Sequence, residues 1–385
     1  MFSLHSKYRA HWDSGKKIRR SFFTYCQHRH IIAIMTQKAA LRIIDANFNR
    51  AREALRVVEE YCRFALNNAH LSARTKRIRH DLTHALTALD LQGLITCRDT
   101  AGDVGTASLI ADPLERSNLE DCLRAGCKRL TEALRTLSEM IQIEDPRLAK
   151  VIEALRYQSY TLEKDIMLLG IPTQRFQSVR LYVLLGGDDR DGVLTLAEQC
   201  VRGGADCLQL RAKELCDRDW LDLAKEFVQI CRSHNILSII NDRTDIAVAS
   251  GADGVHLGLE DLPIEDARRL QLQPLIFGLT THNRAELSVA LKKIPSYVAL
   301  GPAFPTSTKP HLQPAGLAYV AEGLAELPEE GMGHVVIGGI NAKNVQQVCA
   351  LGATTIAVGA YITTSRDPKE ACRRLKTSML TAAAF

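Results

Sequence analysis

The stretch Leu181–Lys213, LYVLLGGDDRDGVLTLAEQCVRGGADCLQLRAK, decides the fold. It holds two strand-sized apolar runs, Leu181–Leu185 and Asp206–Arg211, with a helical stretch between them. The same alternation continues to the C-terminus. Strands are expected at Leu237–Asn241, Gly254–Leu257, Leu275–Leu279, Tyr297–Leu300, His334–Ile337 and Thr355–Val358. A candidate helix follows each, the last two being Ala342–Leu351 and Pro368–Leu380. Eight β-then-α units predict an α/β chain with a C-terminal (β/α)8 TIM barrel over residues 171–385. A doubly wound open sheet is the runner-up. The count of eight, and the lack of a GxGxxG turn after the first strand, weigh against it.

Upstream of a short connector, Ile171–Gln174, the pattern is helical, giving an expected all-α domain over residues 41–170. Phe48, Ala51, Leu55, Val58, Cys62 and Ala65 recur at three- and four-residue steps, one apolar stripe, with Asp45 and Asn47 as candidate caps. Arg50, Glu53, Arg56 and Glu60 are spaced three, three and four apart, and Arg129, Glu132, Arg135 and Glu139 repeat that spacing. Both copies contain EALR (Glu53–Arg56 and Glu132–Arg135), and a second helix follows each, with Arg79 in one and Arg156 and Tyr157 in the other. The reading is a duplicated helical hairpin.

The formal charge of the 385-residue chain is +5. Residues 1–34 carry seven Lys or Arg against Asp13 alone, so the remaining 351 residues sum to −1. The basic excess therefore belongs to a tail, residues 1–40, expected to be disordered or to reflect a start codon placed before Met35; a transit peptide is the alternative. Nothing points to nucleic acid or to a membrane. Eleven cysteines without a CxxC pair suit buried reduced thiols in a cytoplasmic protein. A homo-oligomer is compatible with the sequence.

Active sites of such barrels lie at the C-terminal strand ends. Strand two ends in Gln209, Arg211 and Lys213, which alternate and so point one way. Two cations and an amide converging there suit a polyanion. Asp242 after strand three and Asp261 after strand four put two carboxylates on adjacent loops, a set that suits Mg2+. The plain alternative for each Asp is a helix N-cap, although Thr244 or Asp245 is available to cap in place of Asp242. Thr280 follows strand five. The loop after strand six carries Thr306, Ser307, Thr308 and Lys309 between prolines, a phosphate grip or an ordinary surface loop. Gly338-Gly339 and Gly359-Ala360 end strands seven and eight, where barrel phosphate sites often form; glycine needed only for tight turns is the alternative.

QLRAK (Gln209–Lys213), NDR (Asn241–Arg243), GADGVHLGLEDLP (Gly251–Pro263), GPAFPTSTKP (Gly301–Pro310) and IGGI (Ile337–Ile340) stand in order, and over about Arg180 to Thr381 the chain resembles thiamine-phosphate synthases. The resemblance implies a Mg2+-dependent transferase. It would join hydroxymethylpyrimidine diphosphate to a thiazole phosphate, or its carboxylated form, giving thiamine phosphate and pyrophosphate. It implies that Gln209, Arg211, Lys213, Asn241, Thr280 and Lys309 hold the pyrimidine diphosphate, with Arg211, Lys213 and Lys309 catalytic. It further implies that Asp242 and Asp261 bind Mg2+, and that Thr306, Ser307, Thr308, Gly339, Gly359 and Ala360 meet the thiazole phosphate. Thr280 and Ala360 stand where serine is usual; Ala360 removes a hydroxyl from the phosphate site. The helical half resembles a domain fused ahead of this synthase in some bacteria, for which a pyrimidine-phosphate kinase step has been proposed. The loop Arg98–Thr106 and the duplicated Arg/Glu stripe are candidates to line such a site, or form an ion-paired solvated face. Two rivals remain. A thiazole tautomerase would not need the paired aspartates, and a non-catalytic sensor of thiamine intermediates would bind without turnover.

Overall fold

A computed structural model describes residues 37–89, 91–104, 116–143, 145–187, 189–212, 214–306, 313–328 and 332–382. The tail expected at residues 1–40 lies almost wholly outside them. The chain divides into two compact units, one of helices within residues up to Tyr61 and Ala73–Thr161, the other comprising Cys62–Ser72 and everything from Leu162.

In the helical unit, α1 (residues 37–60) runs into a π-type turn at Tyr61–Ala65, followed by α2 (Ala69–Leu86), α3 (Leu91–Thr96), α4 (Leu119–Ile141) and α5 (Pro146–Asp165). Of the apolar stripe, Ala51, Leu55 and Val58 are fully buried and Phe48 nearly so, whereas Ala65, beyond the helix in the π-type turn, is half-buried. Burial of each Leu or Val contributes roughly 1.5–3 kcal/mol. The two EALR copies face alike, with Ala54, Leu55, Ala133 and Leu134 in the core and the Glu and Arg of each copy exposed. A Cβ on Gly126 of α4 would sit 3.3 Å from Val57 of α1, so the two copies pack closely. Asp45 and Asn47 do not cap. Both lie inside α1, which begins earlier than the apolar stripe; Asn47 Nδ2 donates to the Ile43 carbonyl, and Asp45 receives two hydrogen bonds from Arg98, at 2.6 and 2.7 Å. Arg79 donates to Glu59 at 3.0 Å, Arg156 to Glu153, and Arg56 pairs with Glu60 at 3.5 Å. The exposed Arg56–Glu60 pair contributes little to stability.

The expected connector Ile171–Gln174 is instead the start of a helix, α6 (Ile171–Gln177), reached through a π-type turn at Ile166–Gly170. Pro172 falls in its first turn, where no backbone N–H is needed and proline is tolerated.

The barrel consists of β1 (Leu181–Gly186), α7 (Arg190–Arg202), β2 (Cys207–Arg211), α8 (Asp217–Ser233), β3 (Leu237–Asn241), α9 (Thr244–Ser250), β4 (Gly254–Leu257), α10 (Ile264–Ala267), β5 (Ile276–Thr281), α11 (Arg284–Lys292), β6 (Tyr297–Leu300), α12 (Gly316–Glu326), β7 (Gly333–Ile337), α13 (Val345–Cys349), β8 (Ile356–Val358), α14 (Ala360–Thr363) and α15 (Pro368–Ala382). The eight strands are parallel and closed in sequence order, β8 returning to β1 with Leu181 opposite Ile356. All eight expected strands are present, with ends within two residues of expectation. Asp206 precedes β2 and ties it to β1, its Oδ2 accepting from the Arg180 and Leu181 N–H groups.

Alternation sorts each strand into two faces. Val183, Leu185, Leu208, Leu210, Ile240, Val255, Phe277, Val336 and Val358 face the helices in one core. Tyr182, Cys207, Ile239, Ile276, Tyr297, Ala299, Val335 and Ala357 fill the barrel interior together with Phe176. Phe176 stacks on Tyr297, centroids 3.9 Å apart and planes 4° from parallel, and meets Tyr182 edge-on. These are residues at or beside the first positions of their strands, so α6 closes the N-terminal end. Six of the ten described cysteines are buried; Cys216 is exposed, and Cys97, Cys122 and Cys349 are half-buried, more open than the composition suggested.

His334, near the start of β7, accepts from the Thr354 N–H at Nε2 (3.0 Å), and burial with the nearby Arg180 charge pushes its pKa down to about 4. The fold therefore holds the neutral imidazole, whereas the unfolded chain takes up a proton at about pH 6.5. Its contribution to stability should be full above that pH and decline as pH falls towards 4. Urea midpoints compared at pH 7.5 and 4.5 should fall less in His334→Gln than in the parent chain; equal falls would contradict this.

Candidate active site

The C-terminal strand ends open on a cavity of about 1260 Å3. Every described residue that the sequence assigned to the barrel mouth lines it: Gln209, Arg211, Asn241, Asp242, Asp261, Thr280, Thr306, Gly339, Gly359 and Ala360. Lys213, Ser307, Thr308 and Lys309 lie outside the described residues, as do Gly105 and Thr106 of the loop in the helical unit.

Gln209 points inward from β2 and is 2% exposed. Its Nε2 donates to the Tyr182 hydroxyl at 2.8 Å, and its Oε1 is buried without a hydrogen-bond partner among the described residues. A buried acceptor left open costs stability unless a ligand or water completes it. Thr280 is also inward, its Oγ1 2.8 Å from His256 Nε2. The next residue, Thr281, points out, donating to the Ala299 carbonyl and accepting from Tyr319. The observed β5 runs to Thr281, two residues beyond the expected end, which sets this alternation.

Asp242 has φ +64°, a left-handed conformation that L residues with a Cβ rarely adopt. Its N–H continues the ladder to the His256 carbonyl (2.8 Å), and the Arg243 N–H turns back to the Asn241 carbonyl (2.7 Å). Neither aspartate is a cap. Arg243 occupies the N-cap position of α9 and Pro263 that of α10, neither with a capping side-chain bond, while Asp261 Oδ2 accepts from the Gly258 N–H at 2.6 Å. Nor does Thr244 cap α9, since it is the helix's first residue. Arg243 turns away from the mouth to bind Asp217 and Asp245 and to lie over Trp220, 5.3 Å from the ring centroid. Among the described residues no group of three or more His, Cys, Asp or Glu is placed to hold a metal. A cation at Asp242 and Asp261 would draw its remaining oxygens from ligand and water, as Mg2+ commonly does.

Gly338 and Gly339 have φ +104° and +65°. A Cβ on Gly338 would meet Pro302 Cα at 2.5 Å, and one on Gly339 the Pro305 carbonyl oxygen at 2.4 Å. Glycine here thus serves conformation and close approach together. The β6 loop docks on this turn, Ala303 N–H donating to the Ile337 carbonyl and Phe304 N–H to that of Gly338, which holds Thr306 at the rim. Gly359 precedes α14, whose first backbone N–H groups are of the kind that a helix leaves without an internal partner.

The sequence reading missed Tyr182, His256, His282 and Glu286, which also line the cavity. For Tyr182 and His256 the signal was available as polar atoms at inward alternations of β1 and β4. Glu286 accepts from the His282 N–H and from Asn283 Nδ2, its N–H bonding to Asn283 Oδ1 in a box at the start of α11. Among the described residues no helix is long and apolar enough to cross a membrane.

Residues 181–362 match the family described as Thiamine monophosphate synthase, and residues 42–165 match the ThiD2 family. A thiamine-phosphate synthase of a Synechocystis species is 37% identical over 341 residues, covering 89% of this chain and 96% of that protein. One from Rhodopirellula baltica is 36% identical, covering 83% and 88%. Among solved structures, a thiamine phosphate pyrophosphorylase from Pyrococcus furiosus is 29% identical over 54% of this chain and 98% of its own, with a TM-score of 0.49. The near-complete span of relatives sharing more than a third of their residues makes this chain a member of the thiamine-phosphate synthase family, a transferase with a ThiD2-family domain ahead of its barrel.

Proposed function

We propose that the barrel joins hydroxymethylpyrimidine diphosphate to a thiazole phosphate, releasing pyrophosphate. The observation that carries the reading is the open Gln209 Oε1 at the floor of a cavity whose rim bears Asp242, Asp261 and the β7 and β8 glycines. An aminopyrimidine presents an N–H to that acceptor. Arg211, Asn241 and Thr280 then face the diphosphate from the strand ends, and the family resemblance adds Lys213 and Lys309, which lie outside the described residues. Asp242 and Asp261 fit a hard cation by their donor chemistry and their place on adjacent loops. Bound there, Mg2+ would neutralise charge on the departing pyrophosphate.

In the step itself, the bond between the pyrimidine methylene and the diphosphate oxygen breaks, and its electron pair leaves with pyrophosphate. The thiazole nitrogen lone pair forms the new C–N bond. The positive charge at the methylene is spread into the aminopyrimidine ring. Fixed donors at the leaving group favour that separation of charge, and holding both reactants in one cavity replaces a bimolecular encounter. The thiazole phosphate takes the Gly339 turn, the start of α14 at Gly359-Ala360 and the loop of Thr306, Ser307 and Thr308.

The test uses the full chain with both substrates and Mg2+. Thiamine phosphate and pyrophosphate should form in equal amounts and disappear with EDTA. Asp242→Ala should lower kcat/KM about 100-fold or more while the thermal transition persists, because losing one metal carboxylate removes several kcal/mol of charge stabilisation. Binding of both substrates without product would sink the synthase and leave the sensor. Ala360→Ser restores a hydroxyl to the phosphate site and should lower KM for the thiazole phosphate roughly threefold to tenfold at unchanged kcat, as added uniform binding does.

For the helical unit, the ThiD2-family match supports a kinase step that makes the diphosphate from pyrimidine monophosphate. Full chain given the monophosphate, ATP and thiazole phosphate should then yield thiamine phosphate. Product only from added diphosphate would refute the kinase step and leave the synthase standing.

A further inference from the structure

Beneath the cavity, five side chains from five strands form one unbroken line of hydrogen bonds. Gln209 Nε2 meets the Tyr182 hydroxyl at 2.8 Å, Tyr182 meets the Tyr297 hydroxyl at 3.0 Å, Tyr297 meets His256 Nδ1 at 3.0 Å, and His256 Nε2 meets Thr280 Oγ1 at 2.8 Å. Room for it is made by Gly278, where a Cβ would sit 2.1 Å from Tyr297 Cζ and 2.6 Å from His256 Nδ1. Both phenols are buried, at 1% and 0% exposure, and burial pushes their pKa values up, so each keeps its one proton.

We infer that this line couples the two ends of the pyrimidine diphosphate site, so that recognition of the ring by Gln209 and of the diphosphate by Thr280 is a single choice. The inference rests on the synthase reading for the identity of the ligand. A phenol has one proton to give, and a neutral imidazole has one N–H. Once Gln209 Nε2 donates to Tyr182, the Tyr182 proton must go to Tyr297 and the Tyr297 proton to His256 Nδ1. The imidazole proton then sits on Nε2 and is given to Thr280, whose own O–H is released towards the cavity. Reversing any one link leaves two donors or two acceptors facing each other, so the whole line reverses or none of it does.

The two directions present opposite chemistry. In the first, Gln209 offers an acceptor and Thr280 a donor, which suits an amino group at one end of a ligand and a phosphate oxygen at the other. In the second, amide N–H groups face the amine and a hydroxyl lone pair faces the anion. A ligand carrying both groups satisfies both ends with the first direction only. An oxo analogue of the pyrimidine asks for the second direction at Gln209 and the first at Thr280, and is disfavoured at whichever end loses. Tyr182, Tyr297 and His256 are on this account positioning residues that set specificity without touching the reacting atoms.

A double-mutant cycle on the full chain tests the coupling, with Gln209→Met and Thr280→Val, reading kcat/KM for the pyrimidine diphosphate. The two losses should be non-additive by about tenfold in the parent chain and multiply to within about twofold in the Tyr297→Phe background. Tyr182→Phe, which cuts the next link, replaces Tyr297→Phe if the latter does not fold. Equal coupling in the cut and uncut chains, or none in the parent, overturns the inference. A second readout needs no turnover. With Mg2+ and inorganic pyrophosphate, the 15N shifts of His256, assigned by their loss in His256→Gln, should show the proton on Nε2. In Gln209→Glu, which can only accept from Tyr182, the proton should move to Nδ1. An unchanged tautomer overturns the coupling, whereas absence of thiamine phosphate from the parent chain counts against the synthase reading and not against this line.

Discussion

The near-parallel stack of Phe176 on Tyr297, 3.9 Å between centroids, sets the depth of everything above it. Closing eight parallel strands sends every second side chain into a space too narrow to leave empty. Here the lower layer of that space is filled by aromatic rings, with Phe176 supplied from outside the barrel by α6. A Cβ on Gly333 would stand 2.7 Å from the Phe176 ring, so the strand start and the plug are fitted to one another. With the bottom closed, the next inward positions, Gln209, His256 and Thr280, become the floor of the upper cavity. The phenols meet Gln209 and His256 from below, His256 in turn meets Thr280, and among the described residues Gln209 Oε1 is a buried acceptor left without a partner.

The barrel was legible because each strand is short, apolar and bounded by helical stretches, so period and length agreed. Site residues at strand ends were legible for the same reason: alternation from Leu208 or Ile240 fixes the direction of Gln209 or Asn241. What was hidden depends on neighbours distant in sequence. The contact between Tyr182 and Tyr297 spans 115 positions, and no spacing rule relates them. Ile171–Gln174 looks like a connector in the sequence because the place of Pro172 in a first turn depends on the π-type turn before it. Asp45 resembled a cap until Arg98, 53 residues on, was seen to hold it.

Local strain lies at the mouth. Asp242 with φ +64° is a conformation costing of order 1–3 kcal/mol for a residue other than glycine. Asn or Gly would also tolerate that backbone, so the turn by itself does not call for a carboxylate. The ladder bond from its N–H to His256 fixes the loop from the same strand that carries the interior line. Asp242 and the interior line thereby share one support.

The buried thiols bear on the kind of chemistry such a cavity can host. Cys207 faces the barrel interior, and burial pushes its pKa up, as it does for Cys231. A thiol held neutral is a poor nucleophile, so neither is suited to attack a substrate. The phenols of Tyr182 and Tyr297 are held neutral for the same reason. These thiols and phenols thus offer hydrogen-bond donors, acceptors and fixed dipoles in place of an activated nucleophile. Such an interior suits a reaction whose leaving group departs with its own electron pair and whose nucleophile arrives with a free one, so that the work left to the protein is orientation and the placing of charge.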